Sequence, residues 1–182
     1  MARIEQRTTI LRGAKFDIEQ VTLSRSAPDG RHVVREVIRH PGAVVIVPVV
    51  GRTASGEAEL VMIRNQRFTL DRELLEFPAG TLEPPEPPEK CAARELEEEA
   101  GYRAGTMKAI GSFYTTPGMT DELMRAFVAT ELTPVGQRLM DDEEITVEIV
   151  PVSRALRMID SGELADAKSM LALLLAARLG HV

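Results

Sequence analysis

A chain of 182 residues with 44% apolar residues is long enough for one domain with a sizeable core, and too apolar to be intrinsically disordered. Its 22 Lys and Arg stand against 28 Asp and Glu, a net charge of −6 without a basic stripe, so a nucleic-acid binder is not expected. Ala43 to Val50, the longest apolar stretch near the middle, is too short to span a bilayer, and the first ten residues hold no apolar core of signal-peptide length.

In chain order, Lys15 to Ser24 and His32 to Ile38 carry partly alternating apolar residues around the turn signal Ala27-Pro28-Asp29-Gly30, which predicts a β-hairpin. Pro41-Gly42 breaks the chain. Ala43 to Val50 is nearly continuous and β-branched, the pattern of a buried strand, with Glu59 to Ile63 as its partner across a Gly51 to Gly56 turn. Leu74 to Phe77 is a short apolar run. Four prolines between Glu83 and Pro88 predict an ordered loop. A helix follows from Pro88 to Ala100, because proline suits its first position and Gly101 its end.

Lys108 to Tyr114 and Leu123 to Thr130 read as strands flanking a loop at Thr115 to Glu122. Leu139 to Glu144 reads as an acidic loop, Ile145 to Val150 as a strand, and Pro151 to Ile159 and Ala165 to Leu179 as helices separated at Ser161-Gly162. Strands, a central helix, more strands and then helices predict an α/β fold, a mixed sheet with helices on both sides. Cys91 is the sole cysteine, so no intrachain disulfide forms; this suits a reducing cytoplasm, and an intracellular location is expected.

The central helix is unusually acidic. At about 100° per residue, Glu95, Glu98 and Glu99 project within about a 100° wedge, while Ala92, Ala93, Leu96 and Ala100 form an adjacent apolar face and Glu97 points away. Three neighbouring carboxylates repel one another, and a hard divalent cation such as Mg²⁺ or Mn²⁺ would resolve the conflict. A solvated acidic helix braced by an Arg94–Glu98 pair accounts for the charges equally well.

The spacing favours the metal. Gly80, Glu86, Arg94, Glu95, Leu96, Glu98, Glu99, Gly101 and Tyr102, nine positions over 23 residues, resemble the Nudix box, the signature of hydrolases that split a nucleoside diphosphate linked to another group. The resemblance implies an α/β/α sandwich around a mixed β-sheet, with an N-terminal antiparallel β-hairpin segment. It implies that Glu95, Glu98 and Glu99 face the metal, with Glu95, Glu99 and the Ala79 carbonyl as direct ligands. Glu86 and Arg94 would support the loop and orient the carboxylates. Cys91, with no His or second Cys beside it, reads as packing. His32, His40 and His181 have no ligand spacing.

Pro117, sixteen residues after Gly101, together with Tyr114 to Glu122, Met62 to Phe68 and Glu76 to Gly80, resembles the ADP-ribose pyrophosphatase subgroup, over about residues 12 to 179. Arg64 and Arg67 suit two anionic phosphates, and the resemblance favours Arg67 as the phosphate contact. It makes Arg35 and Glu36 substrate contacts supplied across a homodimer, and Phe16 a stacking partner for adenine or a core-facing strand residue. The acidic loop offers Asp141, Asp142, Glu143 and Glu144 as the residue that activates water. Glu143 leads, as base and metal neighbour, then Glu144, with Glu98 on the box helix as another base.

The expected activity is Mg²⁺-dependent hydrolysis of ADP-ribose to AMP and ribose 5-phosphate, with Mn²⁺ or another divalent cation able to substitute. The alternatives are another nucleotide sugar such as GDP-mannose, a dinucleotide such as NADH or FAD, or a non-catalytic ADP-ribose-binding module. The expected organisation is residues 1–40 as an N-terminal, dimer-forming β segment and 41–182 as the Nudix domain. No nucleic-acid or membrane partner is expected.

Overall fold

A computed structural model describes residues 3–141 and 143–182, leaving aside the side chains of residues 25 and 26. The chain divides into two compact units, Met1–Gly42 with Phe113–Leu123, and Ala43–Ser112 with Met124–Val182.

The first unit is built on a three-stranded antiparallel sheet of β1 (Ile4–Arg12), β2 (Asp17–Ser26) and β3 (His32–Arg39), in that order. The expected hairpin is β2–β3, closed by Gly30 N–H donating to Ala27 O. β1 was not foreseen. All nine of its residues are exposed, so it carries no inside–outside pattern to betray it. Phe16 lies just before β2 and is exposed, which rules out the core-facing alternative. The Thr115 to Glu122 loop belongs to this unit and is tied to β3: Ile38 N–H donates to Met119 O, and Asp121 accepts from Arg39 and from the His40 N–H.

The second unit carries a mixed sheet in the order β10-β5-β4-β9-β8. Its strands are β4 (Ala43–Arg52), β5 (Ala58–Arg67), β6 (Arg72–Glu76), β7 (Ala79–Thr81), β8 (Tyr102–Tyr114), β9 (Leu123–Pro134) and β10 (Ile145–Pro151). β4 runs parallel to β9 and antiparallel to β5. Val44 and Ile46 of β4 pack into one core with Cys91, Ala92, Leu96 and Ala100 of helix α1 (Pro88–Ala100). Successive strand residues face opposite ways, so Ala43, Val45 and Val47 are buried on the other face, where α3 (Ala167–Arg178) meets β4. Burial on both faces explains why β4 reads as an unbroken apolar run. α2 (Val152–Ser161) follows β10 and ends at Gly162.

Two details position the site. β4 and β5 pair only from Val49↔Leu60 to Arg52↔Ala58 and then part. β6 pairs with β5 beyond that point, while the three-residue β7 pairs with β4 over Ala43 to Val45. The short crossing Phe77-Pro78 therefore carries Ala79 and Gly80 into the gap between the central strands. One expectation is corrected: Ala93 is exposed, and Cys91 takes its place on the packed face of α1. The buried arc of α1 runs from Cys91 through Glu95, Glu99, Ala92 and Leu96 to Ala100, and Ala93 lies just beyond its edge.

Candidate active site

α1 begins at Pro88 and ends with Gly101 in the left-handed region at φ 73°, as proline and glycine at those positions dictate. A side chain at Gly101 would meet Gly136 and Gln137 backbone at 2.9 Å, so glycine is required there by space as well as by conformation. The helix lies against β7 so closely that a Cβ on Gly80 would stand 1.9 Å from the Glu95 carboxylate. Only a glycine leaves room for Glu95 at the gap in the sheet.

Arg94 organises the acidic cluster. Its Nη1 donates to Glu95 Oε1 at 2.7 Å and to Glu98 Oε2 at 3.1 Å, while Nε and Nη2 each reach Glu86 at 3.0 Å. The fork of the guanidinium thus ties the proline-rich loop to the helix. Arg94 holds the Glu86 carboxyl below the usual range and is itself held more firmly protonated, chiefly by its hydrogen bond to Glu86. Cys91 is fully buried beneath, and burial pushes its thiol up to about 12, an inert packing group as expected. Glu97 points outward to Arg103 and Arg138, at 2.7 and 3.2 Å.

Glu95 and Glu99 are the buried carboxylates of the wedge, and Glu98 is partly exposed. Burial raises the Glu95 carboxyl to about 6 against the pull of Arg94, and the negative charges of Glu98 and Glu143 add to the rise. Burial raises Glu99 to about 8, with Glu95 and Glu143 adding to the rise. The Ala79 N–H, which donates to Glu99 Oε2 at 2.8 Å, does not offset this. Hard oxygen donors whose ionised forms are destabilised by burial and by one another suit a divalent cation. Among the described residues no three acidic, His or Cys side chains already converge into a cage; Arg94 draws Glu95 and Glu98 to itself instead.

The acidic loop reaches the cluster from the helix end. Val135 N–H and Gly136 N–H donate to Gly101 O, Arg138 N–H to Glu98 O at 3.0 Å, and Gln137 Nε2 to Glu99 O at 2.7 Å. The bonds to Glu98 O and Glu99 O satisfy two of the last carbonyls of α1, which have no partner within the helix. Gln137 Nε2 also reaches Ile145 O at 3.4 Å, spanning the base of the loop. Beyond it Glu143 is partly buried, braced by the Met140 N–H, and its charge bears on both Glu95 and Glu99. Glu144 and Asp141 are exposed, and Asp142 lies outside the described residues.

Arg67 is at the end of β5, close enough to Glu99 for the two charges to act on each other. Its partner was not foreseen. Nε donates to Glu76 Oε1 at 2.7 Å and Nη2 to Oε2 of the same carboxylate. Glu76 also accepts from Lys168 Nζ at 2.6 Å. Lys168 pairs in turn with Asp166 at 3.0 Å, and Asp166 caps α3 by accepting from Ser169 N–H and Oγ. Sequence spacing gives no sign of a pair 92 residues apart; the one legible signal was an ionisable residue, Glu76, in an apolar run. Arg64 lies elsewhere, paired with Glu148 at 2.9 Å.

In the first unit, Arg35, Glu36 and Pro117 line one cavity of about 320 Å³, with Arg7, Arg39 and Asp121 also on its wall. The adjacent Arg35 and Glu36 and the distant Pro117 therefore share a concave surface. Phe16 does not line it. His40 is held between the Gly42 N–H and Glu122, and His32 is exposed, so neither gathers with metal ligands.

The NUDIX domain family model matches residues 39–173. An ADP-ribose pyrophosphatase of Bacillus subtilis (strain 168) is 38% identical over 95% of this chain and 93% of its own length. A GDP-mannose pyrophosphatase of Salmonella typhimurium (strain LT2) is 33% identical over 90% of this chain and 89% of its own. A crystal structure titled as an ADP compounds hydrolase superposes with a TM-score of 0.80 over 98% of this chain and 93% of that one; at 24% identity it shows a shared fold. With its box intact on α1 and a family match across most of its length, the chain belongs to the Nudix family of hydrolases.

Proposed function

We propose that the protein hydrolyses the diphosphate of ADP-ribose to AMP and ribose 5-phosphate with Mg²⁺. The observation that carries the reading is the pair of buried, mutually repelling carboxylates Glu95 and Glu99 against Gly80, with the charge of Glu143 bearing on both. The likeness to a Bacillus subtilis ADP-ribose pyrophosphatase along nearly the whole chain supports the substrate.

Glu95, Glu99 and the Ala79 carbonyl would hold the cation, with Glu98 and Glu143 beside them. Mg²⁺ would polarise the diphosphate and neutralise charge developing on it. Arg94 keeps Glu95 and Glu98 aimed while leaving the buried Glu99 to the metal side. Glu143 accepts the proton of the attacking water: a base must lie near the reacting group, and this carboxylate is partly exposed with its charge bearing on both Glu95 and Glu99. Arg67 contacts phosphate. Arg35 and Glu36 are substrate contacts supplied across a homodimer, Pro117 is a further substrate contact, and Phe16 is a stacking face for adenine.

The same reading takes residues 1–40 as a homodimer-forming segment, 41–182 as the catalytic domain, and a cytoplasmic setting. Among the described residues no helix is long and apolar enough to cross a membrane. A second reading, GDP-mannose as substrate, is favoured by the Salmonella relative. Measuring kcat/KM for ADP-ribose, GDP-mannose, NADH and FAD with Mg²⁺ and with Mn²⁺ tests both. A preference for GDP-mannose would transfer the assignment; tight ADP-ribose binding without turnover would indicate a binding module.

A further inference from the structure

The Glu76 carboxylate is 1% exposed and carries two cations, Arg67 and Lys168, whose side chains are 38% and 15% exposed. A buried carboxylate is tolerable only with such partners. Burial works against its ionisation first, but hydrogen bonds from Arg67 and Lys168 prevail and hold the carboxyl below its ordinary range. Arg67 is bound through Nε and Nη2, one edge of its fork, which turns the Nη1 edge away from Glu76. Lys168, the less exposed of the two cations, binds only Oε2 and is itself held by Asp166 at the N-cap of α3. The neighbouring Ser169 Oγ accepts from the Phe77 N–H at 2.8 Å. The first turn of α3 thus grips Glu76 and Phe77, the residues immediately before Pro78-Ala79-Gly80.

We infer that Lys168 is a positioning residue for Arg67: it neutralises part of the Glu76 charge, so that Glu76 orients the Arg67 guanidinium without cancelling the charge it presents to the substrate diphosphate. This rests on the proposed reading of Arg67 as a phosphate contact. Without Lys168, the whole Glu76 charge falls on Arg67, and the outward edge of the guanidinium loses attraction for phosphate. The loss is one of binding, so it appears in KM before kcat.

The test compares wild type, Lys168→Met, Lys168→Arg, Arg67→Gln and the double variant Arg67→Gln/Lys168→Met. Steady-state kinetics use ADP-ribose and Mg²⁺, and calorimetry measures the affinity for α,β-methylene-ADP. Lys168→Met should raise KM about tenfold with kcat nearly unchanged, weaken the analogue by a similar factor, and be rescued by Lys168→Arg. In the Arg67→Gln background the same change should have little effect, the signature of coupled residues. An unchanged KM, an equal effect in both backgrounds, or a matching fall in kcat and thermal midpoint without rescue would each overturn the inference. Lys168→Gln, which keeps a donor for Oε2 without the charge, carries the same test if methionine prevents folding. Failure of the wild type to turn over any nucleotide sugar would refute the functional reading instead.

Discussion

The Ala79 N–H donates to Glu99 Oε2 over 2.8 Å, tying the residue before Gly80 to the last carboxylate of the box helix. The proposed metal site uses the Ala79 carbonyl and the other oxygen of Glu99. Glu99→Gln should lower kcat by roughly 100-fold or more, beyond what loss of a supporting partner causes. Its thermal midpoint in chelator at pH 8 should match or exceed wild type, because the charge that Glu95 and Glu143 oppose is gone. Activity near wild type would remove Glu99 from the metal site.

The same carboxylates make stability depend on pH. Glu95 at about 6 and Glu99 at about 8 lie above their unfolded value of 4.5, so the folded state holds more protons between those limits. Stability in chelator should therefore fall as pH rises from about 5 to about 8. Glu57, Glu76, Glu86, Glu97 and Asp121 are shifted the other way and add stability only as pH rises through the acid range below this window. Added Mg²⁺ should raise the thermal midpoint, and by more at pH 8 than at pH 6, since ionised ligands bind it. Scanning calorimetry across this range checks both slopes. A flat profile in chelator would contradict the shifts.

Gly80→Ala would place its methyl 1.9 Å from the Glu95 carboxylate. Either Glu95 swings out or β7 moves away from α1. Overpacking of this kind costs about 1–3 kcal/mol. Chemical denaturation should report that loss, and activity should fall further than the stability change explains, because Glu95 is displaced.

The base can be identified by replacing the two loop glutamates in turn. Glu143→Gln should lower kcat by about 10²–10⁴, the range of general base catalysis. Glu144→Gln should leave kcat close to wild type, since its side chain is exposed and it contributes its carbonyl to the Gln66 N–H. The reverse order would assign the role to Glu144.

What could be read from sequence was set by local chemistry. α1 was legible to the residue because proline and glycine fix both its ends and its charges repeat on one arc. β4 was legible because it is buried on both faces. β1 was not, because it is exposed throughout, and β7 is too short for a pattern to form. The box carboxylates and Arg94 are close in sequence, and their geometry followed from helical spacing. Glu76 and Lys168 meet only because α3 returns across the sheet, a tertiary event without a local trace. Arg67 was chosen for its charge, yet the carboxylate that orients it could not be inferred from charge alone.

Gln137 touches Glu99 O on one side and Ile145 O on the other. The end of α1 that carries Glu99 and the root of the acidic loop therefore share one foundation stone. Those two hydrogen bonds fasten the base of the segment that carries Glu143 to the end of the helix. An insertion after Gln137 should retune the reach of the proposed base and spare the proposed metal ligands, whereas one before it should unsettle both together. Divergence of chemistry within such a scaffold has a natural place to begin: the handful of residues from Arg138 to Glu144.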